Sequence, residues 1–88
     1  VLLGPNDRKT FGRTSASIVQ FDDLQMSSCH FEIFQVNGKW MIEDRRSTNG
    51  LFVNSRRVES MILNNGDIIK AGQTNFAVRL IPIHVAPI

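Results

Sequence analysis

Short apolar runs separated by turn-forming residues fill the chain, and nowhere do apolar positions recur at the three- and four-residue spacing of an amphipathic helix. Residues 1–3 read as a strand, broken by Gly4, Pro5, Asn6 and Asp7. The next run covers residues 17–21 and is closed by Asp22 and Asp23. Residues 29–36 and 39–43 flank Asn37-Gly38. That dipeptide tolerates the positive φ angles of a two-residue type I′ turn, so a hairpin is predicted there. Residues 51–53 and 57–58 around Asn54-Ser55 predict a second hairpin. Residues 61–63 and 68–69 are separated by Asn64-Asn65-Gly66-Asp67, and residues 72–75 read as a further turn. Beyond it Phe76, Val78 and Leu80 alternate with Ala77 and Arg79 at the two-residue period of a strand.

Turns at such short, regular spacing predict an all-β domain, an antiparallel sandwich or barrel. Its core is expected from Leu2, Ile18, Phe21, Phe31, Ile33, Trp40, Ile42, Phe52, Val53, Leu63, Ile68, Phe76, Val78 and Leu80. Residues 81–88, apolar with two prolines, read as a tail or linker stub after a domain of residues 1–80. At 88 residues the chain suits one domain with a limited core.

Charge narrows the partners. The net charge is +2, too small an excess to argue for nucleic acid, and the aromatic share of 8% is largely needed for the core. Seven of the ten basic residues are Arg, whose planar fork suits carboxylate or phosphate better than the point charge of Lys. The longest apolar runs are far short of a membrane span, so no membrane insertion is expected. The single cysteine, Cys29, forms no internal disulfide and points to an intracellular, reducing setting.

Catalytic and metal chemistry find little support. One Cys and two distant histidines, His30 and His84, have no metal-ligand spacing, and neither a metal nor another cofactor is expected. Ser27, Ser28, Cys29 and His30 are adjacent, but neighbours on a strand point to opposite faces and no carboxylate is placed to orient them. The chain is therefore not read as an enzyme. Three polar stretches remain beside strands: Phe11-Gly12-Arg13-Thr14, Met26-Ser27-Ser28-Cys29-His30 and Ser47-Thr48-Asn49-Gly50. Loops cluster at the ends of a sandwich, so all three are able to meet on one patch. Arg supplies charge and paired donors, Ser and Thr supply short neutral donors, and the amide of Asn49 both donates and accepts. That inventory suits a phosphate dianion attached to a peptide. Taken singly, each has a plainer reading: Arg13 as surface charge, Ser27 and Thr48 as turn residues, Asn49-Gly50 as a turn, and His30 as a structural brace. The pairs Arg45-Arg46 and Arg56-Arg57 read as solvated charge.

In order and spacing these stretches resemble the forkhead-associated (FHA) domain family. Gly12-Arg13, then Ser27-x-x-His30, then Thr48-Asn49-Gly50 leading into Leu51-Phe52-Val53-Asn54 match the family pattern. So does the late segment from Leu63 through Gly66-Asp67 and Ile69 to Gly72. The resemblance covers residues 1–80. It implies a two-sheet antiparallel β-sandwich that docks a phosphothreonine-containing protein or peptide. By motif position Arg13, Ser27 and Thr48 would hold the phosphate, and Ser28 and Asn49 would meet the peptide. Gly12, His30 and Gly50 would shape the loops. Ser28 stands where relatives often carry Arg or Asn, with less reach and no charge. A phosphate-independent interaction or assembly domain on the same fold is the alternative, motivated by Ser28 and by the apolar tail.

Overall fold

The computed structural model describes residues 3, 4 and 7–80. The expected strand at residues 1–3, the core position Leu2, His84 and the tail at 81–88 lie wholly or mainly outside the described residues. Among the described residues nine strands follow one another: β1 (Arg8–Gly12), β2 (Val19–Gln20), β3 (Phe31–Val36), β4 (Lys39–Asp44), β5 (Leu51–Val53), β6 (Arg56–Arg57), β7 (Ser60–Ile62), β8 (Ile68–Ala71) and β9 (Thr74–Ala77). They form a five-stranded sheet in the order β2-β1-β3-β4-β7 and a four-stranded sheet in the order β6-β5-β8-β9. The described residues contain no helix.

Turn chemistry accounts for the hairpins. Asn37 and Gly38 adopt φ of 50° and 77° and join β3 to β4 with Val36 opposite Lys39. Asn54 and Ser55, at 51° and 68°, do the same for β5 and β6 with Val53 opposite Arg56. All strand pairs are antiparallel except β1 with β2, which run parallel, Phe11 opposite Val19 and Gly12 opposite Gln20. The chain leaves β1 at Gly12 and loops back beside itself, and that excursion carries Arg13.

Both sheets contribute to one core: Phe11, Phe31, Ile33 and Ile42 from the first, Leu51, Val53, Ile69 and Ala71 from the second, with Met26 and Leu63 between strands. Aromatic rings bridge the layers. Phe31 stacks on Phe11 at 4.7 Å and meets Phe76 of the opposite sheet edge-on at 5.7 Å. Each such pair contributes about 1 kcal/mol beyond its buried area.

Two expected core residues are not core. Ile18 is 66% exposed because its neighbour Ser17 turns inward and donates to the carbonyl of Ser28. Ile68 is 45% exposed because Ile69, facing the opposite way, takes the buried position. Phe52 and Leu80 are only half-buried. Strand β9 begins at Thr74, inside the stretch read as a turn, so the turn shrinks to Gly72 and Gln73.

Candidate functional site

Three loops meet at one end of the sandwich, and backbone hydrogen bonds hold them together. The N–H of Arg13 donates to the carbonyl of Ser27 at 3.0 Å, and that of His30 to Phe11 at 2.8 Å. Gly12 makes the approach possible. A Cβ there would collide with the Ser28 carbonyl oxygen and stand 2.5 Å from Ser17 Oγ. Glycine is therefore required by close packing at this position, not by its φ.

The Arg13 side chain returns to the same loop. Its Nε donates to the carbonyl of Met26 at 3.1 Å, while Met26 itself is buried in the core. The guanidinium is thereby steered by a fixed backbone atom. Its two terminal nitrogens have no internal partner among the described residues, and the residue is exposed. Ser27 Oγ accepts from the N–H of Thr48 at 3.0 Å. The hydroxyl hydrogen of Ser27 remains free to donate outward. Hydrogen bonds through Ser27 thus bring the loops of Arg13, Ser27 and Thr48 together on one rim.

Asn49 stands next on the rim. Its Nδ2 donates to the carbonyl of Gln25 at 2.8 Å and lies 3.3 Å from Gln25 Oε1. Its Oδ1 has no internal partner among the described residues. Ser28 is exposed, and its carbonyl accepts from Ser17 Oγ at 2.7 Å.

His30 is fully buried between the loops. Its Nδ1 accepts from the N–H of Ser27 at 3.0 Å, so the proton sits on Nε2, which donates to the carbonyl of Gly50 at 2.7 Å. The ring thus bridges the Ser27 loop and the Gly50 carbonyl. Gly50 itself adopts φ of 88°, a conformation that disfavours any side chain.

Sequence reasoning missed three supports. Asp23 is buried. One carboxylate oxygen accepts from the N–H of Gln25, and the other accepts from the N–H of Gln73 and the hydroxyl of Thr74 at 2.6 Å. The Thr74 bond, helped by the two N–H groups and opposed by burial, holds its carboxyl below the ordinary aspartate range. Asp23 so ties the loop carrying Gln25 to the β8–β9 turn. Ser17 was read as strand, and Arg57 as solvated charge; its guanidinium in fact covers Gly50. Nothing in their neighbours along the chain signals these roles, because the contacts of Ser17 with Ser28, of Asp23 with Gln73 and Thr74, and of Arg57 with Gly50 exist only once the strands pair.

Comparison with known proteins decides the family: the model of the FHA domain matches residues 9–72, most of the chain. The chain belongs to the FHA domain family. GarA, a glycogen accumulation regulator from Mycolicibacterium smegmatis, is 36% identical to this FHA domain over 82 residues, covering 83% of the chain and 52% of GarA. The chain thus spans about half the length of that relative. An FHA domain structure determined for phosphothreonine-dependent FHA interactions superimposes with a TM-score of 0.83 at 29% identity, covering 89% of this chain and 81% of that one. EmbR of Mycobacterium tuberculosis, solved with a low-affinity phosphopeptide, gives 0.77 at 27% identity over 82% of this chain and 19% of EmbR. The resemblance read from Gly12-Arg13, Ser27, His30 and Thr48-Asn49-Gly50 is therefore correct. The FHA domain is a protein-interaction module, and among its described residues no helix is long and apolar enough to cross a membrane.

Proposed function

We propose that the rim formed by Arg13, Ser27, Thr48 and Asn49 holds the phosphothreonine of a partner protein. The domain is a phosphothreonine-dependent peptide-binding module, and binding, not catalysis, is its activity. One observation carries the assignment of residues. Internal hydrogen bonds occupy Arg13 Nε and one lone pair of Ser27 Oγ, while the terminal nitrogens of Arg13 and the hydroxyl hydrogen of Ser27 have no internal partner among the described residues, on two loops joined by the Arg13 N–H to Ser27 carbonyl bond. A phosphate dianion offers three acceptor oxygens to such donors.

The roles divide by chemistry. Arg13 neutralises charge through its terminal fork, and Ser27 and Thr48 donate from their hydroxyls. Asn49 accepts a peptide N–H at Oδ1, and Ser28 meets another part of the peptide. Gly12, His30 and Gly50 keep the loops in place. The likeness to GarA, a glycogen accumulation regulator, supports a regulatory role, and the single cysteine together with the family suits an intracellular setting. Two or three charge-assisted bonds, less the cost of ordering a flexible peptide, set an affinity of about micromolar.

Calorimetric titration of matched phosphorylated and plain threonine peptides tests this reading. The phosphorylated form is expected to bind at least about tenfold tighter, one charge-assisted contact or more, and Arg13→Ala to remove most of that advantage. Equal affinity for both peptides on the native chain would sink the proposal.

A further inference from the structure

Leu51 and Val53 of β5 are buried in the core, so Phe52 between them points to the outer face of its sheet. Arg57 lies opposite Phe52 on β6 and shares that face. Gly50, two residues before Phe52, presents the same side of the chain. The guanidinium of Arg57 does not extend into solvent away from the sheet but lies back over Gly50. A Cβ on Gly50 would stand 2.9 Å from Arg57 Nε, 3.1 Å from Cζ and 3.3 Å from Nη2. The absence of a side chain at Gly50 is what lets this guanidinium lie against the residue that follows Asn49.

Arg57 is exposed, and among the described residues no carboxylate pairs with it, whereas Arg8 is paired with Glu32 at 2.8 Å. Arg57 thus covers the residue that follows Asn49, while Arg13 bonds the Ser27 loop and Ser27 holds Thr48. An extended peptide that places its phosphate at the Arg13 end and crosses Asn49 passes the second cation within a few residues, since each residue advances about 3.3 Å. The planar fork of arginine is itself preorganised, so less rotamer freedom is lost per hydrogen bond on pairing.

We propose that Arg57 is a specificity-determining residue that pairs with an acidic side chain flanking the phosphothreonine, so that the ligand class is an acidic phosphothreonine peptide. This rests on the phosphothreonine reading above.

Fluorescence anisotropy on the native chain and on Arg57→Gln tests it with a synthetic peptide bearing phosphothreonine between two glutamates on each side. Its glutamine counterpart and the unphosphorylated glutamate peptide are the comparisons. The native chain is expected to prefer the glutamate phosphopeptide by about fivefold, the upper scale of one exposed ion pair. In Arg57→Gln that preference should fall to about twofold or less, with the glutamine phosphopeptide bound as before. A glutamate preference that survives the substitution overturns the proposal. An equal loss for both phosphopeptides also overturns it, because Arg57 would then only brace Gly50. If the unphosphorylated glutamate peptide binds the native chain as tightly as its phosphorylated form, the phosphothreonine reading fails and this proposal falls with it.

Discussion

The Nε2–H of His30 donates to the carbonyl of Gly50 at 2.7 Å, across 20 positions of sequence, while the opposite ring nitrogen holds Ser27. One imidazole therefore bridges the two loops that carry the candidate phosphate donors Ser27 and Thr48 and the candidate peptide-binding amide of Asn49.

Replacing that ring removes two bonds at once. His30→Ala leaves the N–H of Ser27 and the carbonyl of Gly50 without their partner and opens a cavity in a fully buried position. The expected loss is about 2–4 kcal/mol of stability. Urea unfolding should show a lower midpoint at an unchanged slope. At low temperature, where the variant is still folded, phosphopeptide affinity should also fall. A variant with native midpoint and native affinity would contradict the bracing role.

Gly12→Ala tests packing at the base of the Arg13 loop. The added methyl meets the Ser28 carbonyl oxygen and Ser17 Oγ, both held by a mutual hydrogen bond, so neither retreats cheaply. A loss of about 3 kcal/mol is expected, at the upper end of ordinary overpacking. Thermal unfolding measures it.

The hairpins and the site motifs were legible in the chain because their signals are local. Asn37-Gly38 and Asn54-Ser55 state their turns in two residues, and Ser27-x-x-His30 fits a histidine that reaches back to the loop it follows. Strand β1 was not legible: Arg8, Lys9 and Thr10 look like surface loop, and the strand exists because β3 pairs with it along Arg8–Phe34 to Phe11–Phe31. Met26 was read as part of a polar stretch, yet it is buried, since the loop dips into the core before rising to Ser27. Adjacent isoleucines at 68 and 69 gave no clue to which faces inward; that is decided by Ile69 standing opposite Val53 and Phe76. Arg57 is the clearest miss at the site, because its place depends on the empty side of Gly50.

Asp23 gives the domain a pH-dependent component. Its carboxyl titrates lower in the folded chain than in the unfolded one, chiefly through the Thr74 hydroxyl. The carboxylate therefore favours folding fully above the unfolded value near pH 4, and that stability is lost as pH falls through the lower folded value. Asp23→Asn should be less stable than the native chain at pH 7, and the difference should narrow in urea titrations as pH drops below about 4. A difference constant from pH 7 to pH 2 would assign the effect to lost hydrogen bonds without linkage.

The loops remote from the rim have their own polar knot. Asn54 Nδ2 donates to Asp67 Oδ1 at 2.9 Å, Asn54 Oδ1 accepts from the N–H of Ile68, and Asp67 Oδ2 accepts from the N–H of Asn64. Asn54→Ala and Asp67→Ala should each cost about 1–3 kcal/mol, and the double variant less than their sum, because the pair shares one bond. Phosphopeptide affinity of the folded variants should match the native chain within about twofold. A comparable loss of affinity would tie this knot to the binding rim.

Ser28 is where added charge should help. Its side chain is exposed beside Ser27, while its backbone is fixed by Ser17 Oγ and so tolerates a longer residue without moving. Ser28→Arg places a second guanidinium next to the donors of Arg13 and Ser27. Affinity for a phosphothreonine peptide should rise about fivefold, equivalent to about 1 kcal/mol, while the plain threonine peptide gains about twofold or less. The gain should shrink as salt is raised from low ionic strength to the physiological range, because the contact is exposed and screened. Equal gains for both peptides would mean that residue 28 attracts the peptide generally and does not face the phosphate.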